Sequence, residues 1–321
     1  MGVAYRAPLE RGLSRMKKAL FSPFDIGKWF TIGFTAFLAE IINTHNGGGG
    51  GGGGGDGNSP FRGGTHRDWG DLADVPGVVA DWTRDNPGWF ALAVIGLLVV
   101  ILITVALTWL SSRGKFMFLY NVARDESKIA KPWGEYRQEG NSLFVWRLLF
   151  GLVCLVPIAL FVAFGLHMAM AMSHAGPLAA MGVLGIIGLI LAGVFLFTVI
   201  GFIDLLLDSF VVPIMYKDRL GAVEAWKRFL SLFFRHPGHF VLYALMILVL
   251  RFLIVLIIFV VGLFTCCIGF LLLAIPYIGS VVMLPISYTF RAFSLEFLGQ
   301  FGPEFELFSS RPEEGIAPAS P

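Results

Sequence analysis

The stretch from Trp89 to Leu110 is almost wholly aliphatic, and it constrains the fold more than any other part of the chain. A helix needs about 20 consecutive apolar residues to cross the hydrocarbon core of a bilayer, and this stretch is long enough. Trp89 and Trp109 bracket it in the positions that aromatic anchors occupy at membrane interfaces. The stretch therefore predicts a transmembrane helix.

Composition extends this prediction to the whole chain. The 321 residues are 56% hydrophobic and only 14% charged, which is far from the balance of a soluble domain. The net charge of +2 is small, and the basic residues lie in blocks at the ends of apolar runs. This pattern favours anionic lipid headgroups over nucleic acid as the partner. Cys154, Cys266 and Cys267 lie in or beside apolar runs, so we expect neither a disulfide framework nor a metal or cofactor site.

The apolar runs predict an all-α, polytopic membrane protein with six transmembrane helices. The predicted spans are residues 24–42, 89–110, 143–170, 178–206, 240–263 and 270–297, which together make a membrane domain of residues 24–298. Lys28 and Glu40 lie near the two ends of the first span, where we expect both side chains to reach the interfaces.

Two segments are predicted to lack a packed structure. Glycine occupies every position from Gly47 to Gly55, inside an outer loop of residues 43–88. Because glycine loses the most backbone entropy on ordering, this run is expected to act as a flexible tether. The tail of residues 299–321 is rich in proline and glutamate and is expected to be disordered.

The distribution of lysine and arginine predicts the orientation. These residues are abundant before the first span, between the second and third, and between the fourth and fifth, and they are absent from the turns after the third and fifth. The positive-inside rule therefore predicts cytoplasmic termini and an inner, or plasma, membrane location. A basic amphipathic segment, a span, an outer turn and a second span recur three times, which predicts a three-fold hairpin repeat.

Two of the basic segments, residues 1–23 and Leu220 to Arg235, have the spacing of amphipathic helices. The predicted lipid-facing basic residues are Arg15, Lys17, Lys18, Lys227 and Arg228. Such cations either mark the inner side of the membrane or bind lipid headgroups specifically, and the sequence is compatible with both.

Four charges inside the predicted spans are the candidate site: Asp204, Asp208, Arg251 and Arg291. Their depths predict one ion pair between Asp204 and Arg251 and another between Asp208 and Arg291. An unpaired charge at the bilayer centre costs about 3 kcal/mol on insertion scales, so partners are expected. The cluster could be a structural clasp, a proton- or substrate-coupling site, or a lipid-headgroup site. Asp204 and Asp208 also have the spacing of an acid/base pair, but no serine, histidine or cysteine is placed to complete a catalytic set.

Two further stretches carry a family resemblance. The run from Gly140 to Leu149, and the segment from Val212 to Met215 that leads into Ala222 to Trp226, resemble a bacterial multi-pass family that includes the membrane domain of glycerophosphoryl diester phosphodiesterases. The resemblance covers residues 110–298. It implies a membrane module without catalytic residues, because that family's phosphodiesterase chemistry belongs to a separate soluble barrel.

Two functions are compatible with these features. The first is a non-enzymatic inner-membrane module that organises lipids or partner proteins at the cytoplasmic face, with self-association left open. The second is a transporter or permease with a midplane charged site beside the last span, which Pro276 and Pro285 interrupt. The second span has no matching interruptions, which favours the first function.

Overall fold

A computed structural model of the chain describes residues 3–47, 83–174, 179–265 and 268–308. Within these ranges the secondary structure is helical and contains no strand, which confirms the all-α class. The chain divides into two compact units. The first, called the core unit here, comprises Met1–His45, Thr108–Trp146 and Phe202–Pro321, and the second comprises Asn46–Leu107 and Arg147–Gly201.

Some predictions fall outside the described residues. These are the glycine run from Gly48 onward, most of the predicted outer loop, Cys266 with Cys267, and the tail after Phe308.

The helices have the following bounds in chain order: α1 Arg6–Phe21, α2 Ile26–Gly47, α3 Pro87–Arg124, α4 Ala130–Glu135, α5 Arg137–His174, α6 Ala179–Leu206, α7 Val212–Asp218, α8 Ala222–Arg235, α9 Pro237–Phe264, α10 Ile268–Ala274, α11 Pro276–Val282 and α12 Leu284–Gly299. A π-turn, Leu207–Val211, joins α6 to α7, and a 3₁₀ turn, Pro303–Phe305, follows α12.

Four of the helical segments in the described ranges are long and apolar enough to cross a membrane: Pro87–Arg124, Arg137–Met168, Leu184–Asp218 and Pro237–Phe264. A fifth is added if α11 and α12, which are bent by 61° to each other, form one broken span. In the most apolar window of each of the four, at most 6% of the residues are buried inside the protein. Apolar helices this exposed fit a membrane protein. The helix α2, predicted as the first span, is not among these candidate spans.

Aromatic rings form the centre of the core unit. The ring of Phe210, in the π-turn, is parallel to that of Phe229 in α8, with the centroids 5.5 Å apart. It meets Phe240 of α9 edge-on at 5.1 Å and Phe297 of α12 at 5.9 Å. The helix α8 is held in this cluster because Ala222, Ala225, Phe229 and Leu232 recur at helical spacing on its buried face.

The helix α1 packs part of its apolar side on α12. It buries Met16, Ala19 and Leu20. A Cβ at Gly12 would lie 3.1 Å from the backbone nitrogen of Phe293, so glycine permits this close approach. Part of the apolar face that predicted an interfacial helix is therefore used in protein packing, while Leu13 is exposed.

The segment after α12 is also packed. Phe305 and Phe308 are buried, and the guanidinium of Arg15 lies over the Phe308 ring at 3.8 Å. The prediction of disorder from residue 299 is therefore wrong as far as Phe308. Two aromatic side chains within four residues supply enough apolar surface to hold the segment on the core unit.

In the second unit, glycines of α6 face large side chains of α5. A Cβ at Gly185 would meet Cε of Met168, and one at Gly193 would lie 2.8 Å from Cζ of Phe161. Small residues at these positions allow apolar helices to approach closely, as they do in membrane bundles.

Candidate functional site

The backbone at Asp208 is shaped by Pro213. The N–H of Val212 donates to the carbonyl of Leu207, five residues earlier. The next residue, Pro213, has no N–H, so it cannot donate to the carbonyl of Asp208. Arg291 of α12 provides the missing donor, since its Nη1 donates to that carbonyl at 2.6 Å. Pro213 therefore leaves the carbonyl of Asp208 without a backbone donor, and the side chain of Arg291 binds it.

The carboxylate of Asp208 is held by two cations. Its Oδ1 lies 2.9 Å from Nζ of Lys115 and 3.1 Å from Nη2 of Arg291. The side chain of Lys115 is 1% exposed and that of Arg291 is 7% exposed. Breaking a buried pair leaves an uncompensated charge and costs about 3–5 kcal/mol, so the three groups depend on one another.

Glu40 supplies a second carboxylate. It is partly buried, hydrogen-bonded to Ser287 of α12, and in electrostatic contact with Lys115, Asp208 and Arg291. Two carboxylates then balance two cations, and these four residues are called the charged network. Glu40 was predicted only as an interfacial side chain; its carboxylate is engaged by the network.

The predicted pairing of the buried charges is half right. The Asp208–Arg291 pair is confirmed. The Asp204–Arg251 pair is wrong: among the described residues, neither side chain has an ion partner within 4.0 Å. Equal depth is not sufficient for pairing, because both side chains must also face each other around their helices. Arg251 instead lines a cavity of about 60 Å³ beside Glu40 and Asp208.

Sequence analysis missed Lys115 and Glu40 as members of the site. Lys115 was counted with the basic segment that follows the second span. In the structure α3 continues to Arg124 and buries Phe116, Leu119 and Tyr120. The helical spacing of these three apolar residues was the signal that would have kept Lys115 inside a helix.

A second candidate site in the core unit is an open cavity of about 840 Å³, called the basic cavity. The charged and tyrosine residues that line it are Arg15, Lys18, Arg124, Lys217 and Arg219; Asp125, Glu126 and Glu306; and Tyr136, Tyr216 and Tyr288. Five cations therefore face three carboxylates. The helices α3 and α7 end at its wall in left-handed residues, Asp125 with φ 53° and Arg219 with φ 56°.

Stacked side chains make one wall of the basic cavity. The Tyr136 ring lies 4.6 Å from that of Tyr216, with 16° between the planes, and the Arg219 guanidinium lies over Tyr136 at 3.8 Å. Burial and a hydrogen bond with Tyr216 raise the pKa of Tyr136 well above its usual range. The Tyr136 phenol is therefore protonated at neutral pH.

The predicted lipid-facing cations have different surroundings. Arg15 pairs with Glu296 at 2.6 Å, and Arg228 pairs with Asp218 at 2.6 Å. Lys17, Lys18 and Lys227 are exposed. Arg15 and Lys18 line the basic cavity, whereas the other three do not.

The outer face of α8 is apolar as well as basic. Val223, Leu230 and Phe234 are 60%, 37% and 75% exposed. Lys227 falls between them at helical spacing, so a lysine interrupts an exposed apolar stripe. These four residues are called the α8 stripe.

Comparison with known families gives one match, to a family of unknown function, DUF7544, over residues 8–284. The chain belongs to this family. No curated protein and no solved structure matches the chain. The matched range includes Glu40, Lys115 and Asp208 of the charged network, while Arg291 lies beyond it. In the described part of the chain no three histidine, cysteine, aspartate or glutamate side chains are grouped so that they could hold a metal ion.

Proposed function

We propose that this DUF7544 member is a non-enzymatic integral membrane module that organises lipids or partner proteins at the cytoplasmic face of an inner membrane. The observation that carries the proposal is the α8 stripe, because α8 buries one face in protein and exposes a second apolar face. A helix that is apolar on an exposed face and carries a lysine within it suits the boundary between acyl chains and headgroups. The lysine then reaches anionic headgroups.

The proposal includes a topology of six spans with both termini in the cytoplasm, arranged as three hairpins. In it, α2 is the first span and α10 to α12 form a broken sixth. With 22 residues, α2 is about 33 Å long at 1.5 Å per residue, which suffices for a hydrocarbon core of about 30 Å. One contact argues against this span: Ser111, just past the predicted inner end of the second span, donates to the carbonyl of Ala39, near the predicted outer end of α2. The resemblance to the membrane domain of glycerophosphoryl diester phosphodiesterases supports the same kind of module.

The charged network supports a structural role for the buried charges. Both of its carboxylates interact with cations, and Arg291 also binds a backbone carbonyl. A network tied in this way to α2, α3, the π-turn and α12 fixes the position of these elements. These elements then form a rigid support for the protein surface that faces the membrane.

The lipid composition around the purified protein tests the proposal. The protein is extracted in native nanodiscs, and the phosphatidylglycerol fraction is compared with that of the parent membrane. The double variant Lys227→Gln/Phe234→Ser removes the charge and the largest ring of the α8 stripe. Glu224→Gln/Ser231→Ala changes the same helix outside the stripe and is the matched control.

We expect enrichment of phosphatidylglycerol around the parent and the control, and loss of that enrichment in the stripe variant. If the parent carries lipids in bulk proportions, lipid organisation is refuted. Capture of a stoichiometric protein partner, lost only in the stripe variant, would then support the partner-protein form of the proposal.

A transporter is the second candidate, and one observation favours it. The 61° bend between α11 and α12 lies in the same unit as the small polar cavity that Arg251 lines. Broken helices beside a polar cavity are typical of transporter sites. Proton flux in proteoliposomes separates the two functions. Flux in the parent that Arg251→Leu abolishes at unchanged thermal stability would replace the first proposal by the second.

A further inference from the structure

We propose that the basic cavity binds a phosphate group. This inference deepens the proposed function by naming a ligand class and a binding site. It rests on that function only if the phosphate belongs to a lipid. The observations behind it are the charge of the walls, the partners of the cations and the size of the space.

Three of the cavity's cations have no carboxylate partner. Lys18, Arg124 and Lys217 have no aspartate or glutamate oxygen within 4.0 Å in the residues that the structure describes. Arg15 and Arg219, by contrast, pair with Glu296 and with Glu135. The surplus positive charge therefore belongs to three side chains, which come from α1, α3 and α7.

Helix capping does not explain two of these cations. All three lie in the last turn of their helices, where a cation interacts favourably with the helix dipole. However, the guanidinium of Arg124 lies over the Tyr120 ring at 4.9 Å, while Nζ of Lys217 donates to the carbonyl of Pro303 at 2.9 Å. Neither contact is with a carbonyl at the end of its own helix.

The donors suit phosphate oxygens. A guanidinium offers planar paired N–H donors, and ammonium groups act as point charges, so the two together are suited to a phosphate. Tyr136 adds a phenol on the same wall. Such charge-assisted hydrogen bonds are about twice as strong as neutral ones.

The volume is large enough for an esterified phosphate. Small-molecule sites usually enclose about 300–1,000 Å³, and the basic cavity, at about 840 Å³, lies in this range. Leu307, Phe308 and Ala19 give part of the lining an apolar character, against which the organic part of an ester could pack. Both an anionic lipid headgroup and a free phosphate ester have this chemistry.

The test compares three forms of the full-length protein. The cavity variant is Lys18→Gln/Arg124→Gln/Lys217→Gln, and the matched control is Lys17→Gln/Arg137→Gln/Arg235→Gln, which removes the same charge outside both the cavity and the α8 stripe. In the soluble arm, inorganic phosphate is titrated by calorimetry in detergent against chloride of equal ionic strength. In the lipid arm, thermal stability is compared between nanodiscs of phosphatidylcholine alone and nanodiscs that also contain phosphatidic acid.

We expect the parent and the control to respond in at least one arm, and the cavity variant to bind at least about tenfold more weakly or to lose the stabilisation. A response in the soluble arm assigns a free phosphate ester, and a response in the lipid arm alone assigns a headgroup. If the parent responds in neither arm, or the control loses as much as the cavity variant, the proposal is overturned. If the triple variant does not fold, Lys18→Glu, at an exposed position, must weaken the response in the same arm.

Different experimental results would refute the phosphate site and the proposed function. Loss of phosphate binding leaves the lipid enrichment that depends on Lys227 and Phe234 unaffected, because neither residue lines the basic cavity. Binding of soluble phosphate without any lipid enrichment would retain the site and refute the lipid-organising function.

Discussion

At the scale of single residues, Lys115 is the cation on which the buried charges depend most. Its ammonium lies 2.9 Å from Asp208 and its side chain is 1% exposed. Water can therefore contribute little to the solvation of the ammonium if Asp208 is removed, whereas the Asp208 side chain is 29% exposed. The stability of the fold therefore depends on the buried ammonium of Lys115.

We predict that Lys115→Met lowers the free energy of unfolding by about 3–5 kcal/mol, because Asp208 and Glu40 then face only one cation. Thermal unfolding in detergent measures the change. Lys17→Met, at an exposed position of α1, is the control and should have little effect. Equal stability of the Lys115→Met variant and the parent would contradict a buried network.

Thermal unfolding of double variants also tests the two ion pairs that were predicted from the depths of the charges in their spans. Asp208→Asn combined with Arg291→Met should show a coupling of at least about 1 kcal/mol, since the two side chains are in contact. Asp204→Asn combined with Arg251→Leu should be additive within about 0.5 kcal/mol, because no ion pair joins them. Coupling in the second cycle would mean that Asp204 and Arg251 interact after all.

At the scale of helices, close contact between α2 and α3 holds Glu40 beside Lys115. Gly114 lies against the backbone of α2, where an added Cβ would be 2.6 Å from the carbonyl carbon of Leu38. One turn away, the Ser111 hydroxyl donates to the carbonyl of Ala39 at 2.9 Å. The absence of a side chain at Gly114 in α3 therefore allows α2 to approach closely, and this approach holds Glu40 beside Lys115.

Gly114→Ala should destabilise the protein by about 1–3 kcal/mol, because backbone atoms cannot move aside as easily as a side chain can. Gly134→Ala in α4 is the matched control, since its Cβ would meet nothing within 4 Å. That change should be neutral or stabilise by up to about 1 kcal/mol. Similar effects of the two substitutions would show that α2 and α3 are less closely packed than described.

The π-turn gives a second prediction for a helix. In Pro213→Ala the new N–H can donate to the carbonyl of Asp208, so Arg291 is no longer its only donor. Arg291→Met should then cost about 1 kcal/mol less in the Pro213→Ala background than in the parent. Pro276→Ala, away from the π-turn, is the control background. Equal costs in all three backgrounds would exclude the carbonyl as an anchor for the guanidinium.

At the scale of the whole molecule, the proposed topology predicts which residues face each side of the membrane. Single cysteines at Lys17, Thr83 and Thr265, in a chain whose three native cysteines are serine, report this through a membrane-impermeant maleimide. We expect labelling of position 17 only from the cytoplasmic side, and of positions 83 and 265 only from the outer side. Labelling of 17 and 83 from the same side would exclude α2 as a span.

Apolar runs were sufficient to predict the helical class and the long helices, because a run of this kind has few alternatives to a membrane helix. They were insufficient for the partners of the buried charges. Depth along a helix can be counted in sequence, but the direction of a side chain around it depends on neighbours such as Gly114 and on the widened turn before Pro213. Glu40 was missed for this reason, and Asp204 was assigned a partner that it does not contact. Lys115 was missed because α3 continues to Arg124, beyond the predicted end of the second span.

The charged network also has a consequence for the order of biosynthesis. Asp208 and Arg291 are 83 residues apart in the chain. At a translation rate of about 5–20 residues per second, Asp208 precedes Arg291 by about 4–17 s. During that interval Lys115 is already made and is the only cation of the network that can bind Asp208. A chain that stops before α12 thus carries an incomplete set of charges into the bilayer, and α12 completes the set.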